Sequence, residues 1–201
     1  IIAGATIRAV PTTPDEEYWR SLESAMNFTV PRPSVLVVSY PSNPTSEVVD
    51  LAFYERLVDW ARDNRVWVLS DLAYSELYYD GKPTPSIMQV PGAKDVAVEF
   101  TSMSKTYSMA GWRMGFCAGN PQLVGALRKI KSYLDYGAFT PIQVAAVAAI
   151  NGPQACVISG DEEAIAGLEQ GFISQNVAVK RLATSHAYHS ALMEPILPAF
   201  Y

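Results

Sequence analysis

Lys105 lies in a run of small hydroxyl residues, Thr101-Ser-Met-Ser-Lys-Thr-Tyr-Ser-Met-Ala-Gly-Trp-Arg-Met-Gly115, and Arg113 follows it by eight residues. Serine hydroxyls with an arginine suit a phosphate, because a guanidinium donates paired hydrogen bonds to its oxygens. A lysine beside such a seat can form an imine with an aldehyde. The stretch therefore fits a ligand carrying both groups. Two more polar clusters precede it, Ser42-Asn-Pro-Thr45 and Asp71 with Tyr74. Taken singly, each residue has a plainer role. Lys105 can be a solvated surface lysine and Asp71 a helix cap. Asn43 can stabilise the turn before Pro44, Arg113 can hold an ion pair, and Ser104 can bond its own backbone. Their order along one chain favours shared chemistry.

The elements that must position these residues alternate. Ile1 to Val10 reads as a strand. Asp15 to Phe28 has helical spacing, with Tyr18, Leu22, Ala25 and Met26 on one side and acids in the first turn. Val35 to Tyr40 is a short continuous apolar run, expected to be a strand buried on both faces. Val48 to Arg65 follows as a helix facing inward through Leu51, Tyr54, Leu57, Val58 and Ala61. Strands are expected at Val66–Asp71, Val96–Phe100 and Gly111–Gly119. Asn120-Pro121 then caps a helix to about Tyr133, and Thr140-Pro141 starts another through Ile150. This alternation predicts an α/β fold, a mostly parallel sheet with helices on both faces. In such sheets ligands sit beyond the carboxyl ends of the strands. Asn43, Asp71 and Ser102 to Lys105 all follow strands, so they are expected at one edge.

Composition excludes several classes. Of 201 residues, 49% are hydrophobic and 17% charged, a globular balance. The net charge of -5 and a pI near 5.0 argue against a nucleic-acid partner, whose phosphates call for clustered Lys and Arg. Tyr136 to Ile158 is the longest uncharged stretch, but Pro141, Asn151, Gly152 and Pro153 interrupt it, so no membrane span is expected. Cys117 and Cys156 form no disulfide framework or metal motif, and the reducing cytoplasm is the expected compartment. His186 and His189 lack an evident third ligand, so no metal is expected.

Asn43-Pro-Thr, Asp71-x-x-Tyr74 and Ser102-x-Ser-Lys105 with Arg113 together resemble the motif set of the class I and II aminotransferases, which are fold type I pyridoxal-phosphate enzymes. One motif alone would say little, but four in order are specific. The resemblance covers roughly Ile1 to Ile150. It implies pyridoxal 5'-phosphate as cofactor, with Lys105 as the Schiff-base lysine and Asp71 paired with the pyridine nitrogen. It gives Asn43 and Tyr74 the ring's 3-oxygen, and Ser102, Ser104 and Arg113 the phosphate. Lys105, Asp71 and Tyr74 are then the catalytic set. A lysine in water is an ammonium at neutral pH, so acting as a base requires desolvation or a neighbouring cation such as Arg113.

The Ser39–Ser46, Ser86–Phe100 and Lys131–Pro141 stretches are most similar to bacterial alanine-forming (glutamate and pyruvate) aminotransferases, with LL-diaminopimelate aminotransferases as the rival. Ser46 replaces the glycine common in the wider class. The resemblance implies amino-acid and 2-oxo-acid substrates and a homodimer at full length. A C-S lyase or similar reaction on the same cofactor, and an inert fragment or sensor domain, are the alternatives. Residues 1–160 are expected to be a partial cofactor-binding large domain, with natural sequence expected upstream of Ile1. Residues 161–201 are expected to be a helical or irregular segment diverging from the family, with Ser185–Ser190 and Leu197–Tyr201 unlike it.

Overall fold

Asp15 opens the first helix, α1 (Glu16–Phe28), accepting hydrogen bonds from the backbone N–H groups of Glu17 and Tyr18 that the helix cannot satisfy itself. The computed structural model describes residues 4–151, 161–175, 177–179 and 181. Cys156, the His186 and His189 pair, and the Ser185–Ser190 and Leu197–Tyr201 stretches lie outside the described residues. β1 (Val35–Ser39), α2 (Leu51–Asn64) and β2 (Trp67–Asp71) follow, and a 3₁₀ turn at Ile87–Gln89 leads into α3 (Ala93–Val96). Next come β3 (Ala97–Ser102), α4 (Met103–Thr106), a second 3₁₀ turn at Ala110–Trp112, β4 (Gly115–Gly119), α5 (Pro121–Leu134), α6 (Thr140–Asn151) and α7 (Glu162–Ser174).

The four strands form one sheet in chain order, with β1, β2 and β3 parallel and β4 antiparallel to β3. The mostly parallel sheet is thus present. β4 starts at Gly115, four residues later than the periodicity predicts, because Ala110–Trp112 forms the second 3₁₀ turn. Its glycines allow a close approach to β3. A Cβ at Gly115 would lie 2.7 Å from the Thr101 carbonyl oxygen, and one at Gly119 2.4 Å from that of Ala97. Neither spacing admits a side chain.

One core joins α1, α2 and the strands through Tyr18, Trp19, Leu22, Val38, Phe53, Tyr54, Leu57, Val58, Val68 and Ala97, with Ile87 beside them. The rings of Tyr18, Trp19, Tyr40, Phe53 and Tyr54 meet at 5.2–5.7 Å between centroids, at edge-to-face or tilted angles. Leu51 is the exception among the expected inward residues of α2. It opens the helix, after Asp50 caps it through the Phe53 N–H, and stays exposed.

Two expectations need correction. No strand occurs within residues 4–10, which are largely exposed and make no ladder. The chain is tethered further on, where the Tyr40 hydroxyl donates to the Thr12 carbonyl at 2.5 Å. Among the described residues β1 pairs with β2 only, so residues 4–10 leave its outer edge unused. Nor is β1 buried on both faces. Val38 is buried, whereas Val35 and Val37, pointing to the opposite face, are 48% and 67% exposed.

The chain divides into two compact units, Ile1–Ala146 and Val147–Tyr201. In the second, Asp161 caps α7 through the Ala164 N–H, and Arg181 bonds Glu162 and, at 2.8 Å, Glu169. No helix among the described residues is long and apolar enough to cross a membrane.

Candidate functional site

β1 and β2 end level with each other, and β3 runs two residues further, to Ser102. Ser39 pairs with Asp71 and Asp71 with Phe100, and the Leu72 N–H reaches the Phe100 carbonyl at 2.8 Å. Each strand hands the chain to a short connection at the same edge. Beyond β1, the loop carrying Asn43 is closed by Ser46 N–H to Ser42 O at 2.8 Å and Ser42 N–H to Glu47 O at 2.9 Å. Ser46 takes φ +59°, the left-handed region that glycine enters without strain. This explains why a glycine is common there. Glu47 accepts from Thr13 and Thr45, and those hydroxyls, Thr13 first, hold its carboxyl below the usual range.

Beyond β2, Asp71 is followed by a turn in which Leu77 N–H donates to Tyr74 O at 3.0 Å. Beyond β3, Ser102 caps α4 by accepting from the Ser104 N–H at 3.2 Å, and α4 carries Lys105. Arg113 ends the second 3₁₀ turn in the left-handed region, φ +51°. It stands two residues before Gly115, which pairs with Ser102.

Three of the expected residues meet. Asn43 Nδ2 donates to the Tyr74 hydroxyl at 3.1 Å, and Lys105 Nζ stands 5.3 Å from the centre of the Tyr74 ring. An amide, a phenol and an amine from three separate connections thus share one spot. Asp71 sits exposed at the end of β2, its carboxylate making no hydrogen bond among the described residues. Arg113 is not drawn into the hydroxyl cluster, since its Nη1 donates to the Ala110 carbonyl at 3.2 Å. Ser102 Oγ, though accepting from Ser104, keeps its own proton to donate.

The donor set fits pyridoxal phosphate in kind. It offers a primary amine, a carboxylate for a ring nitrogen, amide and phenol groups for a ring oxygen, and hydroxyls with a guanidinium for a phosphate. Beside Lys105, the Thr106 hydroxyl is buried with no hydrogen-bond partner among the described residues. No group of three or more His, Cys, Asp and Glu capable of holding a metal occurs among the described residues.

One buried acid escapes sequence reasoning. Glu99, inside the apolar run before the hydroxyl stretch, is 7% exposed. It accepts from Ser86 Oγ at 2.6 Å, from the Ile87 N–H at 3.0 Å and from Ser70 Oγ at 3.4 Å. Burial pushes its carboxyl up, and those hydrogen bonds oppose the shift. A lone acid among strand-forming apolar residues was the available signal.

Residues 2–174 match the family described as aminotransferase class I and II, and the chain belongs to that family. Its members use pyridoxal 5'-phosphate. The chain is 53% identical over 157 residues to glutamate-pyruvate aminotransferase AlaC of Escherichia coli (strain K12), covering 78% of this chain and 38% of that one. It is 45% identical over 154 residues to the LL-diaminopimelate aminotransferase of Aquifex aeolicus (strain VF5), covering 77% of this chain and 40% of the other. The crystal structure of aspartate aminotransferase from Thermotoga maritima superposes with a TM-score of 0.64 at 31% identity, over 75% of this chain and 40% of that chain. The chain thus spans about two fifths of the length of these curated relatives.

Proposed function

We propose that this chain is the cofactor-binding core of a pyridoxal-phosphate-dependent aminotransferase that moves an amino group between an amino acid and a 2-oxo acid. The observation that carries this reading is the meeting of Asn43, Tyr74 and Lys105 at the carboxyl edge of the parallel strands. When bound, the cofactor supplies an electron sink for the pair released at the substrate's alpha carbon. Asp71 would pair with the ring nitrogen and favour its protonated form, and Asn43 and Tyr74 would orient the ring through its 3-oxygen. Ser102, Ser104 and Arg113 would hold the phosphate. Lys105 would hold the cofactor through its amine and, as a free amine, would move a proton at the substrate's alpha carbon.

Alanine and pyruvate with glutamate and 2-oxoglutarate are the substrates this reading favours, supported by the 53% identity to the Escherichia coli protein. The LL-diaminopimelate substrate is the second reading, supported by the 45% identity to the Aquifex protein. A homodimer at full length and a cytoplasmic location belong to the same proposal.

The test is covalent capture. Adding pyridoxal phosphate and then borohydride is expected to fix the cofactor onto Lys105, read by peptide mass spectrometry, and Lys105→Ala is expected to abolish it. A folded chain that takes up no cofactor, or takes it up at another lysine, would refute the assignment.

A further inference from the structure

The segment bearing Tyr74 leaves β2 after Asp71 and returns to the core at Ile87, which is fully buried. Its start is held by the β2–β3 ladder and by the Leu72 N–H on the Phe100 carbonyl, but beyond Leu72 the backbone bonds are local, from Ser75 to Leu72, Leu77 to Tyr74 and Lys82 to Tyr79, and Asp80 and Gly81 both turn through the left-handed region. Local turns do not locate a segment against the sheet. Both ends of the excursion nevertheless converge on one side chain. Glu99 Oε2 receives the Ser70 hydroxyl, one residue before Asp71, and also the Ile87 N–H, while Oε1 receives the Ser86 hydroxyl.

We propose that Glu99 is a positioning residue, whose carboxylate clamps the returning end of the segment, Ser86 and Ile87, to β3 beside Ser70, where the segment starts, and so sets Tyr74 against Lys105. The positioning role rests on the cofactor-site reading above; the clamp itself does not. Three donors approach from two sides, and the two oxygens of a carboxylate accept them all. An apolar residue would avoid the cost of burying an acid but would leave the three donors unmatched. β3 also runs from Glu99 directly to Ser102 and then into α4. One strand therefore carries the clamp for Tyr74 and, a few residues on, the lysine that Tyr74 faces.

The test compares the wild-type chain with Glu99→Gln, Glu99→Leu and Ser86→Ala. Glutamine keeps one oxygen for the Ile87 N–H, and its amide can donate to a Ser86 hydroxyl that turns to accept. Leucine fills the space with no acceptor, and Ser86→Ala removes one donor while leaving Glu99 in place. Hydrogen exchange read by mass spectrometry is expected to quicken about tenfold across residues 72–86 in Glu99→Leu, with β1 and α2 unchanged and Glu99→Gln near wild type. Ser86→Ala is expected to quicken the same segment less, and it decides the matter if Glu99→Leu does not fold.

Fixation of pyridoxal phosphate on Lys105 is expected to fall about tenfold in Glu99→Leu and to recover in Glu99→Gln. No change within 72–86, or a uniform rise along the chain, overturns the clamp. Faster exchange with undiminished fixation overturns the positioning role. If the wild type takes up no cofactor, the functional reading fails, and the exchange pattern still decides the clamp.

Discussion

α2 and α5 are both helices of 14 residues with a side-chain cap at the amino end, yet α2 buries Phe53, Tyr54, Leu57, Val58 and Ala61 while α5 buries none. Ile130 and Leu134 of α5 are 55% and 78% exposed. The two segments look alike because capping and spacing are local properties. Burial depends on what lies opposite, and α2 has α1, the sheet and Ile87 around it. The candidate site follows the well-packed region, since β1 to β3 present Asn43, Asp71 and Lys105 from beside α2's core. A site needs such rigid support to hold its groups in register.

The largest effect expected from this contrast is in the core. Leu57→Ala should cost about 2–5 kcal/mol in urea unfolding, because a fully buried leucine leaves a cavity as well as losing transfer energy. Ile130→Ala should change stability by no more than about 0.5 kcal/mol. Equal losses at the two positions would mean that α5 is covered in solution, and the contrast would fall.

The caps sharpen the comparison in the opposite direction. Asp50 caps α2 from an exposed position through the Phe53 N–H, so Asp50→Ala should cost about 1 kcal/mol. Asn120 is buried although its helix is not. Its Oδ1 accepts from Gln122 and Leu123, and its Nδ2 donates to the carbonyls of Lys94 and Asp95 at 3.0 and 3.1 Å. Asn120→Ala strands those carbonyls as well as the helix end, and about 2 kcal/mol is the expected loss. α5 is therefore fastened by its capping residue rather than by its face. Asn120→Asp keeps the cap and loses the donors, so an intermediate loss is expected.

How much of this was legible follows from the same distinction. The helical spacing of α1, the capped start of α5, the alternation of strands with helices and the placement of Asn43, Asp71 and Lys105 after strands could be read because each depends on neighbours in sequence. The exposure of Val35 and Val37 could not, since a run of valines looks the same whether one face or both are covered. Residues 4–10 failed because an apolar run shows a strand's composition but not whether another strand pairs with it. The antiparallel direction of β4 follows from the chain turning back beside β3 through α4 and the second 3₁₀ turn, a tertiary fact that periodicity does not show. The meeting of Lys105 with the Tyr74 ring joins residues 31 apart by number, and no spacing rule specifies it. Glu99 was hidden by its apolar neighbours, since only the fold shows Ser70, Ser86 and Ile87 gathered around it.

The last effect is smaller and concerns two carboxyls that titrate in opposite senses. Glu99 lies on the α2 side, where burial first and then its charge raise the Tyr54 hydroxyl, and burial raises Glu99's own pKa above 4.5. The folded chain therefore binds a proton that the unfolded chain has already released. Stability from this group is full below pH 4.5 and is lost as pH rises through the raised value. Asp135, at the end of α5, is held below 3.8, first by the Lys131 ammonium and then by the Gly137 N–H. Its contribution is present above pH 3.8 and is lost as pH falls through the lowered value. Urea midpoints measured between pH 3 and 8 should show Glu99→Gln gaining on wild type as pH rises above 4.5 and levelling off beyond the raised value. Asp135→Asn should fall behind wild type over the acid range and level off above it. A flat difference for Glu99→Gln would mean that the carboxyl is hydrated in solution, which would remove the burial that distinguishes the α2 side from α5.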